Sequence, residues 1–369
     1  VLQMTKAKRP DIQGIRGLAI TAVFAFHLNA HRFPAGFIGV DIFFVLSGYL
    51  MSSILAKEKT INLEVLRDFY TRRFKRIVPL YSILLISLFV LVPIFLLGRD
   101  VDKFITDSVW AALFATNIHS LVEKRDYFAE LFDSNVLTHT WSLGVEIQYY
   151  LIVPFLISLQ RVLGERYGRP YLTGLIAASF LFQCFSSVNV SFNALPSRVW
   201  QFLAGGIAHE LEAEHIEKKG EIEIKNGLGF KSGEKLICSL ESSSKMKIIA
   251  VVTGFIPTLL TIILFVLSLS PQMILRSEVL RAATIALTAV LIVLGRNEEK
   301  QSLLLTTRAI VYLGDISYVV YLVHWPVIIM WKSYWDVATL PFREVIVCIA
   351  VTLLISILVH HTLEQKFIS

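Results

Sequence analysis

Ionisable side chains inside long apolar runs are the residues of this sequence best placed to do chemistry. Burying one in a membrane segment costs roughly 2.5–3.5 kcal/mol on insertion scales, so each needs a partner or a task. The run RGLAITAVFAFH holds Arg16 and His27, eleven residues apart. That is close to three helical turns, which puts the pair on one face, about 16 Å apart along the axis. The plain alternatives are a snorkelling anchor for Arg16 and a hydrogen-bonded interhelical histidine for His27. Their shared face favours function, with a charged rim joined to a deep imidazole.

Four further clusters follow. In GFIGVDIFFVLSGYLM, Asp41 enters an apolar stretch where it can pair with Arg16 or orient His27; Ser47 and Gly48 read as small residues for close helix packing. YTRRFKRIVPLY carries Arg72, Arg73 and Arg76, either an ordinary positive stop before a membrane helix or a phosphate-binding rim. LTHTWSLGVEIQYY places His139, Trp141 and Ser142 at a helix entrance, with Glu146 one turn before Tyr149 and Tyr150. Interfacial aromatics explain Trp141 and the tyrosines, but not Glu146. Finally, GDISYVVYLVHWPVI sets His324 beside a kinking Pro326. No GxSxG, HExxH, Walker or dinucleotide pattern is present.

The elements that must position these residues are membrane helices. Of 369 residues, 55% are hydrophobic and 17% charged, and the mean hydropathy is +0.63. Soluble domains carry about 25% charged residues, so the fold class expected is all-α, a polytopic transmembrane helical bundle. Apolar runs fall near 14–31, 36–56, 77–97, 107–121, 142–161, 171–187, 197–212, 247–270, 275–295, 309–331 and 342–362. Run 107–121 is short and holds Asn117 and His119, so the count is ten or eleven helices, with 107–121 crossing or re-entrant. The glutamate-, lysine- and glycine-rich stretch 213–247 is expected to be a mobile hydrophilic loop, with no second folded domain.

Lys and Arg cluster before the first helix and between the second and third, which predicts a cytoplasmic N-terminus in a plasma membrane or endomembrane. The first run lacks a cleavage site and reads as an uncleaved helix. The net charge of +6 lies in these short segments, so nucleic acid is not an expected partner. Cys184, Cys238 and Cys348 are far apart, with neither a disulfide framework nor a metal-ligand spacing.

RGLAITAVFAFH, GVDIFFVLSGYL, RRFKRIVP, HTWSLGVEIQYY and SYVVYLVHWP, in that order over nearly the whole chain, resemble the acyltransferase 3 family of membrane O-acyltransferases. The resemblance implies one membrane domain over 9–365 that moves an acyl group from cytoplasmic acyl-CoA, in the first instance acetyl-CoA, to a carbohydrate or lipid hydroxyl. It matches the family's arginine–histidine motif to Arg16 and His27 and its paired-arginine element to Arg73 and Arg76, with Arg72 beside them. Its WSLxxE segment matches Trp141, Ser142 and Glu146, while Ile147 stands where many members carry a second Glu. His27 is then a general base or a transient acyl carrier, oriented by Asp41 or Glu146; the arginines hold the donor, and no metal is called for. Many members continue into an SGNH hydrolase-like domain, whereas this sequence opens at VLQM and ends at HHTLEQKFIS, so it either acts alone or is a piece of a longer protein. A lipid or small-molecule transporter, or a non-catalytic member of the same fold, is the competing class.

Overall fold

The computed structural model describes residues 9–58, 60–125, 127, 135–227, 255–270, 276–297 and 301–368, with backbone alone at 165, 216–227 and 368. The described residues are helical throughout, joined by short turns. In chain order the helices are α1 Pro10–Leu28, α2 Ile38–Leu55, α3 Leu63–Phe95, α4 Gly98–Ala112 and α5 Thr116–Val122. A 3-10 turn, Thr138–Thr140, leads into α6 Trp141–Val162, followed by α7 Gly164–Phe185 and α8 Val188–Asn193. A second such turn, Leu195–Ser197, precedes α9 Val199–Gly227. The remainder are α10 Phe255–Leu269, α11 Ser277–Leu294, α12 Arg308–Asp315, α13 Ser317–Trp335 and α14 Phe342–Val359, with a π turn at His360–Glu364 before α15 Gln365–Ile368.

Helices α1, α2 and α13 bury residues on nearly every side and form the centre. In α2 and α13 the sequence is apolar nearly all round rather than along one stripe, the pattern of a buried helix. By contrast, α3 and α14 turn Ile86, Val90, Ile94, Leu354 and Leu358 outward, the composition of a lipid-facing surface. Helices α2 and α9 touch backbone to backbone: a Cβ on Gly48 would run into the Phe202 carbonyl, and one on Gly205 into that of Val45. Such contact through small residues is how helices associate where lipid removes the hydrophobic drive. The same device holds α1 to α12, where Gly17 and Gly314 leave no room for a side chain.

Among the described residues, five helical segments are long and apolar enough to cross a bilayer, or six if α12 and α13, bent by 72°, form one span. That is fewer than the apolar runs of the sequence, because α1, α7 and α9 carry charged and polar side chains and 309–331 is broken at Ile316. Run 107–121 is not one helix either. It breaks at Phe114, which has φ 53°, between α4 and α5. Its polar residues face protein: Asn117 bonds Gln148 and the Asn193 carbonyl, and His119 bonds Glu123 and lies 3.2 Å from Asp107.

Two further expectations change. Helix α3 starts fourteen residues before the expected run at 77, since the Asn62 side chain caps the Val65 amide and the basic segment continues the helix. In the expected loop 213–247, the backbone stays helical through Gly227, and 228–247 lie outside the described residues. Glutamate and lysine are good helix formers, so hydrophilic composition there does not mean loop.

Candidate active site

The arginines meet in a narrow cavity of about 70 Å³ among α1, α2, α3, α6 and α13. Arg16, Arg73 and Arg76 line it together with Glu146. The Glu146 carboxylate is already engaged, accepting from Ser47 and Tyr150. Three guanidinium groups thus face one satisfied carboxylate, an imbalance suited to an anionic guest. Arg16 has a single long bond, from Nε to Ser317 Oγ at 3.3 Å, and the buried Nε of Arg73 has no hydrogen-bond partner. Ser317 and Tyr318 on the lining open α13, and no side chain caps that helix, so its positive dipole end adds to the cationic wall.

The histidines meet nearby, deeper along α1. His27 Nδ1 lies 2.8 Å from His324 Nε2, and His27 Nε2 lies 2.9 Å from the Tyr127 hydroxyl. The tautomers follow from one acceptor. His324 Nδ1 is 2.9 Å from the Val320 carbonyl, which can only accept, so this nitrogen carries the proton. In the neutral ring Nε2 is then the lone pair, and it must receive the Nδ1 proton of His27. His27 Nε2 is left as a lone pair directed at a hydroxyl, the arrangement of a general base. The rings pack with Trp325, whose centroid is 4.8 Å from that of His27.

Tyr321 separates the two centres. It lines the arginine cavity, and its ring centroid is 5.7 Å from that of His324. Its hydroxyl donates to the His139 carbonyl at 2.5 Å, so the 2.5 Å contact with Ser142 has the serine as donor. The arginine cavity and the histidine pair are therefore neighbours with one ordered tyrosine as their common wall.

Residues 9–361 match the family described as "Acyltransferase domain". The chain belongs to this acyltransferase family. It is 29% identical over 362 residues to the putative peptidoglycan O-acetyltransferase YrhL of Bacillus subtilis, covering 96% of this chain and 54% of that protein. It is 26% identical over 368 residues to the O-acetyltransferase OatA of Staphylococcus aureus, covering 96% and 56%. A shorter stretch of 147 residues is 37% identical to the peptidoglycan O-acetyltransferase OatA of Listeria monocytogenes, covering 39% and 23%. The chain spans about half the length of the relatives it matches end to end. No solved structure matches it.

Within this acyltransferase domain, the candidate residues read from the sequence divide into three groups. Arg16, Arg73, Arg76, Ser142 and Glu146 share the arginine cavity, and His27, His139 and His324 share the histidine cluster, with His139 and His324 centroids 5.8 Å apart. Arg72, one residue from Arg73, is exposed and does not line the cavity, because consecutive residues on a helix point about 100° apart. Asp41 does not orient His27, and neither does Glu146, since both ring nitrogens of His27 are taken by His324 and Tyr127. The Asp41 carboxylate instead receives Arg281 Nη1 at 2.8 and 3.0 Å and Arg198 Nη1 at 3.2 Å, in a buried triad. Trp141 is fully buried and supports that triad, with the Arg198 guanidinium 5.6 Å above its ring.

Sequence reasoning missed Arg198, Arg281 and Tyr127. The two arginines sit in apolar runs, ALPSRVWQFLAGG and SEVLRAATIALT, and carried the same cost signal as Arg16. Tyr127 lies outside every apolar run, and nothing local tied it to His27.

Proposed function

We propose that this chain is the membrane part of an O-acyltransferase with its N-terminus in the cytoplasm and ten or eleven helices in or across the bilayer. It takes an acyl group from cytoplasmic acyl-CoA, with acetyl-CoA the simplest donor, and delivers it to a carbohydrate hydroxyl. The observation that carries this reading is the lone pair of His27 Nε2, fixed by His324 and the Val320 carbonyl and directed at a hydroxyl. Family membership and the peptidoglycan O-acetyltransferases among its relatives support an oxygen acceptor on a sugar.

Arg16, Arg73 and Arg76 bind the donor's anionic groups, and the cavity is wide enough for a slender arm rather than a nucleotide. From Arg16 to His27 is roughly 16 Å along α1, comparable to an extended pantetheine arm. The acceptor oxygen attacks the thioester carbonyl while His27 Nε2 takes its proton. The C–S bond breaks, and the thiolate receives that proton from the imidazolium. His324 Nε2 accepts the hydrogen bond from His27 Nδ1–H throughout, and that proton stays on His27, so the charged ring is held in place. His27 as a transient acyl carrier uses the same lone pair as nucleophile. In a longer chain, an SGNH hydrolase-like domain outside the membrane would complete delivery.

The test is His27→Ala in purified protein, scored for acyl transfer and for thermal stabilisation by acyl-CoA. Transfer is expected to vanish while acyl-CoA still raises the melting temperature of the variant. Unchanged transfer removes His27 from the mechanism, and no stabilisation of the wild type at saturating acyl-CoA favours the transporter class.

A further inference from the structure

A second, larger cavity of about 440 Å³ opens beside the far end of α1, and the acyl-transfer machinery described above does not use it. Its lining includes Phe26, Phe37, Gln183, Phe192, Glu278 and Arg281. The volume falls within the ~300–1,000 Å³ of small-molecule sites. Arg16 and the other arginines lie toward the start of α1, whereas this cavity is built around its last turn and the segment that follows, including Ala30, His31 and Pro34. The two cavities therefore approach His27 from opposite ends of one helix.

The ring of Tyr127 links the wall of this second cavity to His27. Tyr127 stacks between Phe26, at 6.4 Å and 12°, and Phe192, at 4.2 Å and 21°, and both of those line the cavity. Its hydroxyl is the one that touches His27 Nε2. An acceptor hydroxyl entering from the cavity reaches the lone pair by taking the position that the tyrosine hydroxyl now holds.

The lining also has a chemical preference. Arg281 donates; it is held in place by Asp41 and packed 4.7 Å from the centroid of Phe37. Glu278 accepts, and one of its oxygens is already bonded to Ser277 at 2.8 Å. The Gln183 carbonyl receives the Trp200 indole N–H at 2.7 Å, which fixes the amide so that its NH₂ is the donor end. Donors and acceptors close together suit neighbouring hydroxyls, each of which does both. Phenyl rings beside them suit the C–H faces of a sugar ring. Glu278 and Arg281 bring opposite charges to the lining, which selects a neutral polyhydroxyl group over an anion, and hydrocarbon chains gain nothing from either.

We propose that this cavity is the acceptor site and that it binds a saccharide. The role of His27 in it rests on the acyl-transfer reading; saccharide binding does not. The test uses the whole chain in lipid nanodiscs, because maltoside detergents would compete with a sugar. The probe is a tetramer of β-1,4-linked N-acetylglucosamine, read by its effect on the melting temperature, with acyl-CoA and a diacylglycerol as separate additions. The saccharide is expected to stabilise the wild type. Val188→Trp, at an exposed position on the cavity rim, is expected to abolish that shift while leaving the acyl-CoA shift intact. Glu278→Gln is expected to weaken saccharide binding about tenfold, and it provides the same comparison if the tryptophan variant fails to assemble.

A saccharide shift undiminished in both variants places the site elsewhere and overturns the proposal. So does the absence of any saccharide shift in the wild type, whether or not diacylglycerol gives one. Loss of the acyl-CoA response alone counts against the acyl-transfer reading and leaves the saccharide result to decide this one.

Discussion

His27 Nδ1 and His324 Nε2, 297 residues apart in the chain, share a hydrogen bond of 2.8 Å. In many sites a carboxylate orients a histidine base; in the mechanism proposed for this chain a second imidazole does so, itself bonded to the carbonyl of Val320 one turn earlier on α13. A neutral orienting group suits a buried setting, because it adds no second charge to desolvate.

If His324 acts by holding that tautomer, His324→Ala should lower kcat by about 100-fold or more, the scale of a general-base contribution. His324→Gln, whose amide oxygen can accept the same proton, should recover part of the rate. Initial rates at saturating donor and acceptor check both, and equal losses in the two variants would assign His324 a packing role instead.

The cavity geometry separates three adjacent-looking arginines. Arg73→Ala or Arg76→Ala should raise the KM for acyl-CoA about 10- to 100-fold, the worth of one charge-assisted bond. Arg72→Ala should stay within about twofold, since that side chain is exposed. Steady-state kinetics against donor concentration distinguishes them, and an Arg72 effect as large as the others would show that the donor extends outside the cavity.

Asp41 should behave as a structural residue. Asp41→Asn leaves Arg198 and Arg281 buried together without their counter-charge, and breaking a buried pair in this way costs about 3–5 kcal/mol. The expected result is a large fall in melting temperature, whereas His27→Ala should melt close to the wild type. An Asp41→Asn protein that is fully stable yet inactive would return the residue to the chemistry.

Tyr127→Phe keeps the stacking between Phe26 and Phe192 and removes only the hydroxyl that occupies His27 Nε2. The expected outcome is a lower acceptor KM with kcat within about tenfold, because the acceptor no longer displaces a hydrogen bond. A collapse of kcat would mean that the tyrosine hydroxyl takes part in the transfer itself.

Much of this site was readable from residue type alone. Arg16, His27, Glu146 and His324 stand out because each is expensive where it lies, and cost is a local property. Pairing is not local. Asp41 finds Arg281 240 positions away, and no spacing rule within α2 connects them. The extra length of α3 was hidden because charged residues stop an apolar run without stopping a helix. The break at Phe114 was only half visible: Asn117 and His119 marked the segment as unfit for lipid, while the turn between α4 and α5 carries no proline or glycine to announce it.

The bend at Ile316 bears on how the protein is built. At 1.5 Å per residue, the eight residues of α12 reach only about 12 Å, well short of a bilayer core of ~30 Å. The amides that open α13 lack partners within their own helix and need protein around them, so segment 308–335 is a poor substrate for insertion by itself. What receives it is α1, through the glycine contact at Gly17 and Gly314, and α1 leaves the ribosome some 290 residues earlier. Helix α1 thus waits for a partner made long after it. The imidazole pair takes one ring from each, so a product that stops short of α13 carries His27 without the ring that orients it.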